Sequence, residues 1–302
     1  MPTVPLDAGH LRPERGPLFA HQGRLPRLPV PDLESTLARY AASLEPLLPP
    51  DQLARSRRAI EAFGGSAEGQ ELQRRLRERA AEPGRANWLE EWWNDLSYMG
   101  YRDPVIPYVS YHYSFNDDPA CTRPAQRAAR LISGAIAFRR MVADGSLPPD
   151  MQRDAPLCSH SYKFMFNACR IPHIPSDRCR TAPYVGNETI VVARNGQFFA
   201  FSFVRDDGAV LAVDDIAATL EQIIEAADSG AAVSAGLLTA DSRDAWARNR
   251  ELLLRAAPAN AATLDAIETA AFLVSLESDR PVTREELSHA IWHGDGRSRW
   301  FD

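Results

Sequence analysis

Positive charge is in deficit in this sequence. Its 34 Lys and Arg face 40 Asp and Glu, a formal net charge of −6. Broad nucleic-acid binding, which depends on cations displacing phosphate counterions, is therefore disfavoured. No apolar run is long enough to span a bilayer; the most apolar stretch, Ala270 to Leu276, suits a buried strand instead. Cysteine is scarce: Cys121, Cys158, Cys169 and Cys179 form no CxxC pair, so a zinc site is not indicated and free thiols in a reducing compartment are expected. Internal repeats and low-complexity tracts are absent. The first 24 residues are rich in proline and read as a disordered leader. Their Arg12, Arg15 and Arg24 are offset by Asp7 and Glu14, which is a poor match to a basic, acid-poor mitochondrial presequence. The chain ends in Arg299-Trp300-Phe301-Asp302, not in a peroxisomal tripeptide. What remains is 302 residues, 45% of them hydrophobic, enough for one large domain or two small ones.

The apolar spacing is helical up to about residue 150. Leu33, Leu37, Tyr40, Leu44 and Leu47 share one face, with Pro46 disturbing its end. Asp51 is placed to cap a second helix with Leu53, Ile60 and Phe63 inward and Gly64 as its stop. Leu72 and Leu76 sit in a third, highly charged helix, whose Arg74–Arg79 run reads as a solvated face. Ala125 to Ala143 is the clearest amphipathic helix, its stripe running Ala128, Leu131, Ile132, Ala135, Phe138 and ending at Gly145. The period then changes. Thr189–Ala193 and Gln197–Val204 alternate as strands around Asn195-Gly196, a dipeptide that tolerates the positive φ angles of a type I′ hairpin turn. Asp207-Gly208 marks another turn. Asp214 or Asp215 caps a helix with Ile216, Leu220 and Ile223 inward. A strand is expected at Val233–Leu238, then helices carrying Trp246 and Leu253, and Leu264 and Ile267. Thr283 and Glu286 fit a capping box for a last helix. Strands alternating with helices in the second half argue for an α/β, α+β layered fold.

Several short motifs in order carry a resemblance. They are LPRLPVPDLESTLARY (Leu25–Tyr40), NWLEEWWNDLSY (Asn87–Tyr98), YRDPV (Tyr101–Val105), YKFMFNACRIP (Tyr162–Pro172), GLLTADSRDAW (Gly236–Trp246) and the closing HG…RWFD (His293-Gly294, Arg299–Asp302). Together they resemble the choline/carnitine acyltransferase family over residues 25 to 302, most like the carnitine O-acetyltransferases of fungi, which serve mitochondria and peroxisomes. The resemblance implies two lobes, each like chloramphenicol acetyltransferase, a mixed sheet covered by helices. A tunnel between them brings CoA and carnitine together. It implies acetyl transfer between acetyl-CoA and carnitine by a histidine base and a hydroxyl oxyanion donor, with CoA as co-substrate and no metal or prosthetic group. It implies, further, a monomer when complete, and a mitochondrial or peroxisomal site. In the family the catalytic histidine follows the RWFD box, and the second lobe follows that. Residues 25–302 are therefore expected to be an incomplete first lobe, inactive alone, with no catalytic residue of their own. A non-enzymatic binding or regulatory module, and an acyltransferase for choline or longer acyl chains, are the alternatives.

Each candidate residue has a structural and a functional reading. Trp88, Trp92, Trp93 and Tyr98 are close in sequence, and such clusters are usually core. The resemblance instead places Trp93 and Tyr98 in the carnitine pocket, where a ring faces the trimethylammonium group and a hydroxyl reaches the carboxylate, and leaves Trp88 and Trp92 in the core. His173 and Asp177 form an HxxxD pattern like that of chloramphenicol acetyltransferase relatives. Arg178 stands where a Gly is wanted and prolines flank the stretch, so an irregular, catalytically silent loop is expected. His293, in HGDG, reads as ordering a turn, and Asp117-Asp118 as a solvated turn.

Overall fold

The computed structural model describes residues 16–106, 112–230, 232–278, 283–292 and 298–302. They form two compact units, Pro26–Asn94 and the residues up to Leu25 together with Asp95–Asp302.

Pro26–Asn94 is helical: α1 Leu33–Ser43, α2 Pro50–Gly64, α3 Ala67–Ala81 and a short α4 Glu90–Asn94. Local chemistry sets the ends. Asp32 Oδ1 accepts from Ser35 N (2.7 Å) at the start of α1, and Ser66 Oγ accepts from Gly69 N (3.0 Å) at the start of α3. Pro50, at the first position of α2, fixes the φ angle the helix needs, so Asp51 lies in the first turn and not at the cap. No residue of α1 or α2 is fully buried. Leu33, Leu37, Leu53, Ile60 and Phe63 are half-buried. Leu47, expected inward, is 73% exposed because α1 ends at Ser43 before Pro46; Tyr40, also expected inward, lies within α1 and is 53% exposed. In α3, Leu72 is exposed. The adjacent Gln73 takes the buried position, its amide donating to Pro31 O (3.1 Å).

The second unit is mixed α/β. Strand β5 (Thr189–Arg194) pairs antiparallel with β6 (Gln197–Ser202) and parallel with β7 (Phe272–Ser275). Beside this sheet are two hairpins, β1 (Met151–Gln152) with β2 (Ala155–Pro156) and β3 (Ala168–Ile171) with β4 (Arg178–Thr181). Its helices are α5 Pro124–Asp144, α6 Val213–Asp228, α7 Arg243–Ala256, α8 Ala259–Thr269 and α9 Arg284–Trp292. The β5–β6 turn is as the sequence requires: Asn195 and Gly196 have φ of 48° and 80°. Central strand β5 is buried on both faces. Ile190 and Val192 join Phe203, Ile216 and Leu220 in the core beneath α5 and α6. On the other side Phe198 meets Trp300, which in turn packs edge-on against Trp246 at 5.7 Å.

The buried stripe of α5 is Ala125, Ala129, Ile132, Ile136, Arg139 and Val142, a rotation from the expected stripe that shares only Ile132 with it. Arg139 lies within this stripe. Its guanidinium is buried in the middle of the stripe, bonded to Asn167 Oδ1 (2.9 Å) and Tyr184 O (2.8 Å). The expected strand at Val233–Leu238 is instead a 3-10 helix, Ala235–Ala240, and Val233 is 95% exposed. Ala212 and not Asp214 or Asp215 stands at the N-cap of α6, with both acids in its first turn. The capping box forms: Glu286 N donates to Thr283 Oγ1 (3.1 Å) and Thr283 N to Glu286 Oε2 (3.0 Å).

The leader is structured from Gly16 onward, contrary to the expectation of disorder up to residue 24. Leu18 is fully buried, its N–H donates to Gly145 O (3.1 Å), and Ser159 Oγ donates to Leu18 O (2.8 Å). Residues 1–15 and His293 lie outside the described residues. Asp118 is no idle turn residue: it caps Ala120 N and pairs with Arg130 at 2.7 Å ahead of α5. All four cysteines are free.

Candidate functional site

The segment after α4 does not continue as α-helix. Asp95–Met99 is a single π-helical turn, closed by Gly100 N donating to Asp95 O at 2.5 Å. Such wide turns tend to mark functional positions. Gly100 is required: a Cβ there would lie 2.7 Å from Asp95 O. Tyr98 projects from this turn with 43% of its surface exposed.

A buried anion stands behind the turn. Asp177, its side chain fully out of solvent, accepts Arg102 Nη1 (3.0 Å) and His173 N (3.1 Å) at Oδ1, and Arg170 Nε (2.7 Å) and Arg243 Nε (2.6 Å) at Oδ2. Three guanidiniums therefore converge on one carboxylate. A buried charge is tolerated only when paired and hydrogen-bonded in this way. The guanidiniums extend outward. Arg102 Nε reaches Asp244 Oδ1 (2.8 Å), and its Nη2 reaches His173 O (3.0 Å). Arg243 Nη1 lies 2.7 Å from Asp302 Oδ1, an ion pair out of hydrogen-bonding alignment, while Trp246 Nε1 donates to Asp302 Oδ2 (2.5 Å). Burial pushes the Asp302 carboxyl up to about 6, against the opposing pull of Arg243 and the Trp246 indole. Burial also works against the Arg243 charge, but Asp302 and Asp177 hold the guanidinium above its ordinary range.

This arrangement decides the HxxxD pattern. Asp177 binds the backbone N–H of His173, not its ring, and the ring Nε2 lies 3.0 Å from Arg178 Nη2. No His–Asp dyad forms. A second buried acid, Glu268, is held by Arg180 (2.9 Å) and Arg250 (2.5 Å). Beside both clusters Cys169 is buried, which pushes its thiol far up and leaves it inert. Among the described residues no group of His, Cys, Asp and Glu has the makings of a metal site.

In the helical unit Trp88 and Trp92 pack edge to face at 6.2 Å, and the Arg79 guanidinium stacks over Trp92 at 4.4 Å while bonding Trp88 O (2.9 Å) and Glu91 (2.8 Å). Arg79 therefore leaves the solvated face to which its run was assigned, while Trp88 and Trp92, expected in the core, pack against each other only half-buried. Trp93 turns outward, 54% exposed. A shallow groove of about 480 Å³ on this unit is floored by Leu33, Leu37 and Ile60; neither Trp93 nor Tyr98 lines it. Sequence reasoning missed the Asp177 cluster. A signal was present, because the cluster draws charged residues from four motifs: Arg102 from YRDPV, Arg170 from the CRIP segment, Arg243 and Asp244 from SRDAW, and Asp302 from RWFD.

Comparison with known proteins agrees with these motifs. The choline/carnitine O-acyltransferase family model matches residues 28–302. The mitochondrial carnitine O-acetyltransferase of Saccharomyces cerevisiae is 32% identical over 95% of this chain and 44% of its own length. The carnitine O-acetyltransferase of Rattus norvegicus is 30% identical over 99% and 51%. Carnitine O-palmitoyltransferase 2 of Bos taurus is 28% identical over 100% and 51%. The chain thus spans about half the length of the curated relatives it matches. With a mixed α/β fold, ordered motifs and a family match over nearly all of its length, the chain belongs to the choline/carnitine O-acyltransferase family.

Proposed function

We propose that the protein exchanges acetyl groups between acetyl-CoA and carnitine, and that this chain supplies part of carnitine recognition through Trp93 and Tyr98. The observation that carries the reading is the family match over residues 28–302, with relatives named carnitine O-acetyltransferase at 30–32% identity. The reaction needs little equipment. A base takes the carnitine hydroxyl proton, the oxygen attacks the thioester carbonyl, and the tetrahedral oxyanion collapses as the CoA thiolate leaves and is protonated. None of the described residues is assigned as that base: Asp177 is fully committed to its arginines, and His173 stands apart from it. Trp93 offers an aromatic face to a trimethylammonium group and Tyr98 a hydroxyl to a carboxylate. The exposure of both is consistent with contact to a ligand. The two-lobed arrangement, a first lobe like chloramphenicol acetyltransferase, and a mitochondrial or peroxisomal compartment are part of the same proposal.

The test is Tyr98→Phe in the protein as expressed from its gene, followed by thiol release from acetyl-CoA. The Michaelis constant for carnitine should rise about tenfold, the scale of one lost hydrogen bond to a charged group, and that for acetyl-CoA by much less. Equal effects on both, or none, would return Tyr98 to a purely structural role. A longer acyl chain is the second reading, favoured by the palmitoyltransferase relative; faster turnover of palmitoyl-CoA than of acetyl-CoA would select it.

A further inference from the structure

We infer that Asp177 is the positioning residue for Tyr98: a buried carboxylate that, through Arg102 and Arg170, clamps the π-helical turn and so aims the tyrosine at its ligand. The inference rests on the reading that Tyr98 binds carnitine.

The last carbonyls of any helix lack partners within it. In the turn Asp95–Met99, Asp95 O is used by Gly100, Tyr98 O accepts from Tyr101 N (3.3 Å), and the carbonyls of Tyr98 and Met99 also meet the cluster. Arg170 Nη2 donates to Tyr98 O (2.6 Å) while its Nε holds Asp177. Arg102 Nη1 donates both to Met99 O (3.1 Å) and to Asp177 Oδ1 (3.0 Å). Asp177 N donates to Met99 O (2.9 Å), and the neighbouring Ser176 Oγ donates to Asp95 Oδ1 (2.5 Å). One loop therefore grips both ends of the turn. The clamp depends on the charge of Asp177. Without it, Arg102, Arg170 and Arg243 become like charges at close quarters with no common anion, and each loses one charge-assisted hydrogen bond. Tyr98 is nearly half exposed, so its place is set by its backbone and not by packing around its ring. Small displacements of a positioning group are costly to a bound substrate.

The experiment compares Asp177→Asn and the milder Arg170→Lys, which keeps the charge but can make only one of the two bonds, with Tyr98→Phe and with the double variant Asp177→Asn/Tyr98→Phe. Two readouts are taken on the protein as expressed from its gene: the Michaelis constants for carnitine and acetyl-CoA, and amide hydrogen exchange of residues 96–101. Asp177→Asn should raise the carnitine constant about tenfold and Arg170→Lys about threefold, with the acetyl-CoA constant within about twofold, the split expected when uniform binding of one substrate is lost. In the double variant Asp177→Asn should add little to Tyr98→Phe, because both remove one interaction. Exchange should quicken in 96–101 while β5 keeps its protection. The inference is overturned if folded variants leave the carnitine constant unchanged, change both constants equally, add fully in the double variant, or leave exchange in 96–101 unaltered. If Asp177→Asn does not fold, Arg170→Lys decides by the same criteria. If the parent protein shows no turnover with carnitine, the functional reading has failed, and exchange alone then decides whether Asp177 holds the turn.

Discussion

The two units solve the same problem by opposite means. Pro26–Asn94 buries no residue of α1 or α2 completely, and its ion pairs are largely solvated, as in Arg74 with Glu71 and Arg57 with Glu45. The unit of Asp95–Asp302 has an apolar core of Ile190, Val192, Ile216 and Leu220, and besides solvated pairs such as Arg255 with Glu251 it buries two acids, Asp177 and Glu268, among arginines. Charges of the same kind therefore have different consequences. An exposed pair sits in high dielectric and contributes little. A buried one is costly to assemble and more costly to break, because removing one partner strands the other.

Substitutions in each unit expose the contrast. The largest effect is expected in the core: Leu220→Ala should destabilise by about 2–5 kcal/mol, the range for a fully buried leucine that leaves a cavity. Leu37→Ala in α1, half-buried, should cost only about 1 kcal/mol, roughly half the transfer free energy of a buried leucine. Hydrogen exchange in α6 and in α1 during urea unfolding separates the two, and equal costs would contradict the contrast.

A smaller effect is expected from pH. Asp302 ionises near 6 in the folded chain against an ordinary 3.8, so the native state holds this proton more tightly than the unfolded state does. The stability it contributes is fully present below the ordinary value and is lost as pH rises through 6, on the order of 3 kcal/mol. Asp302→Asn should abolish that share, so that stability of the parent relative to the variant falls between pH 4 and pH 7. A difference that stays flat would show that the Asp302 carboxyl is not desolvated. The smallest effect is expected at Arg74. Glu71 is lowered to about 2 by its bonds to Arg74 and Arg75, yet all three are open to solvent, and Arg74→Ala should leave the melting temperature unchanged.

What was legible in the sequence was local. The Asn195-Gly196 turn, the Thr283–Glu286 capping box and the Ile216–Leu220–Ile223 stripe each depend on residues within a few positions of one another, and each formed. The misreadings came where tertiary contacts override local pattern. Arg139 is a cation on an apolar stripe, and Asn167, Tyr184 and Asn187, distant in sequence, make its burial acceptable. Leu18 is ordered by Gly145 and Ser159, contacts invisible from a proline-rich leader. The Asp177 cluster joins residues as far apart as Arg102 and Asp244, so spacing could not reveal it. Of the candidate site, Trp93 and Tyr98 were named from family motifs alone, and their exposure is seen only in the folded chain. The clamp that fixes Tyr98 required coordinates.

The most direct test of the central claim is the choice of acceptor. Thiol release from acetyl-CoA is followed with carnitine or choline as the sole acceptor, using the protein as expressed from its gene. The two share a trimethylammonium group and a hydroxyl, and only carnitine has the carboxylate that Tyr98 is proposed to reach. The account predicts carnitine-dependent release that exceeds the choline-dependent rate by at least about tenfold, a preference that shrinks in Tyr98→Phe. Preference for choline, or no acceptor-dependent release at all, would contradict it.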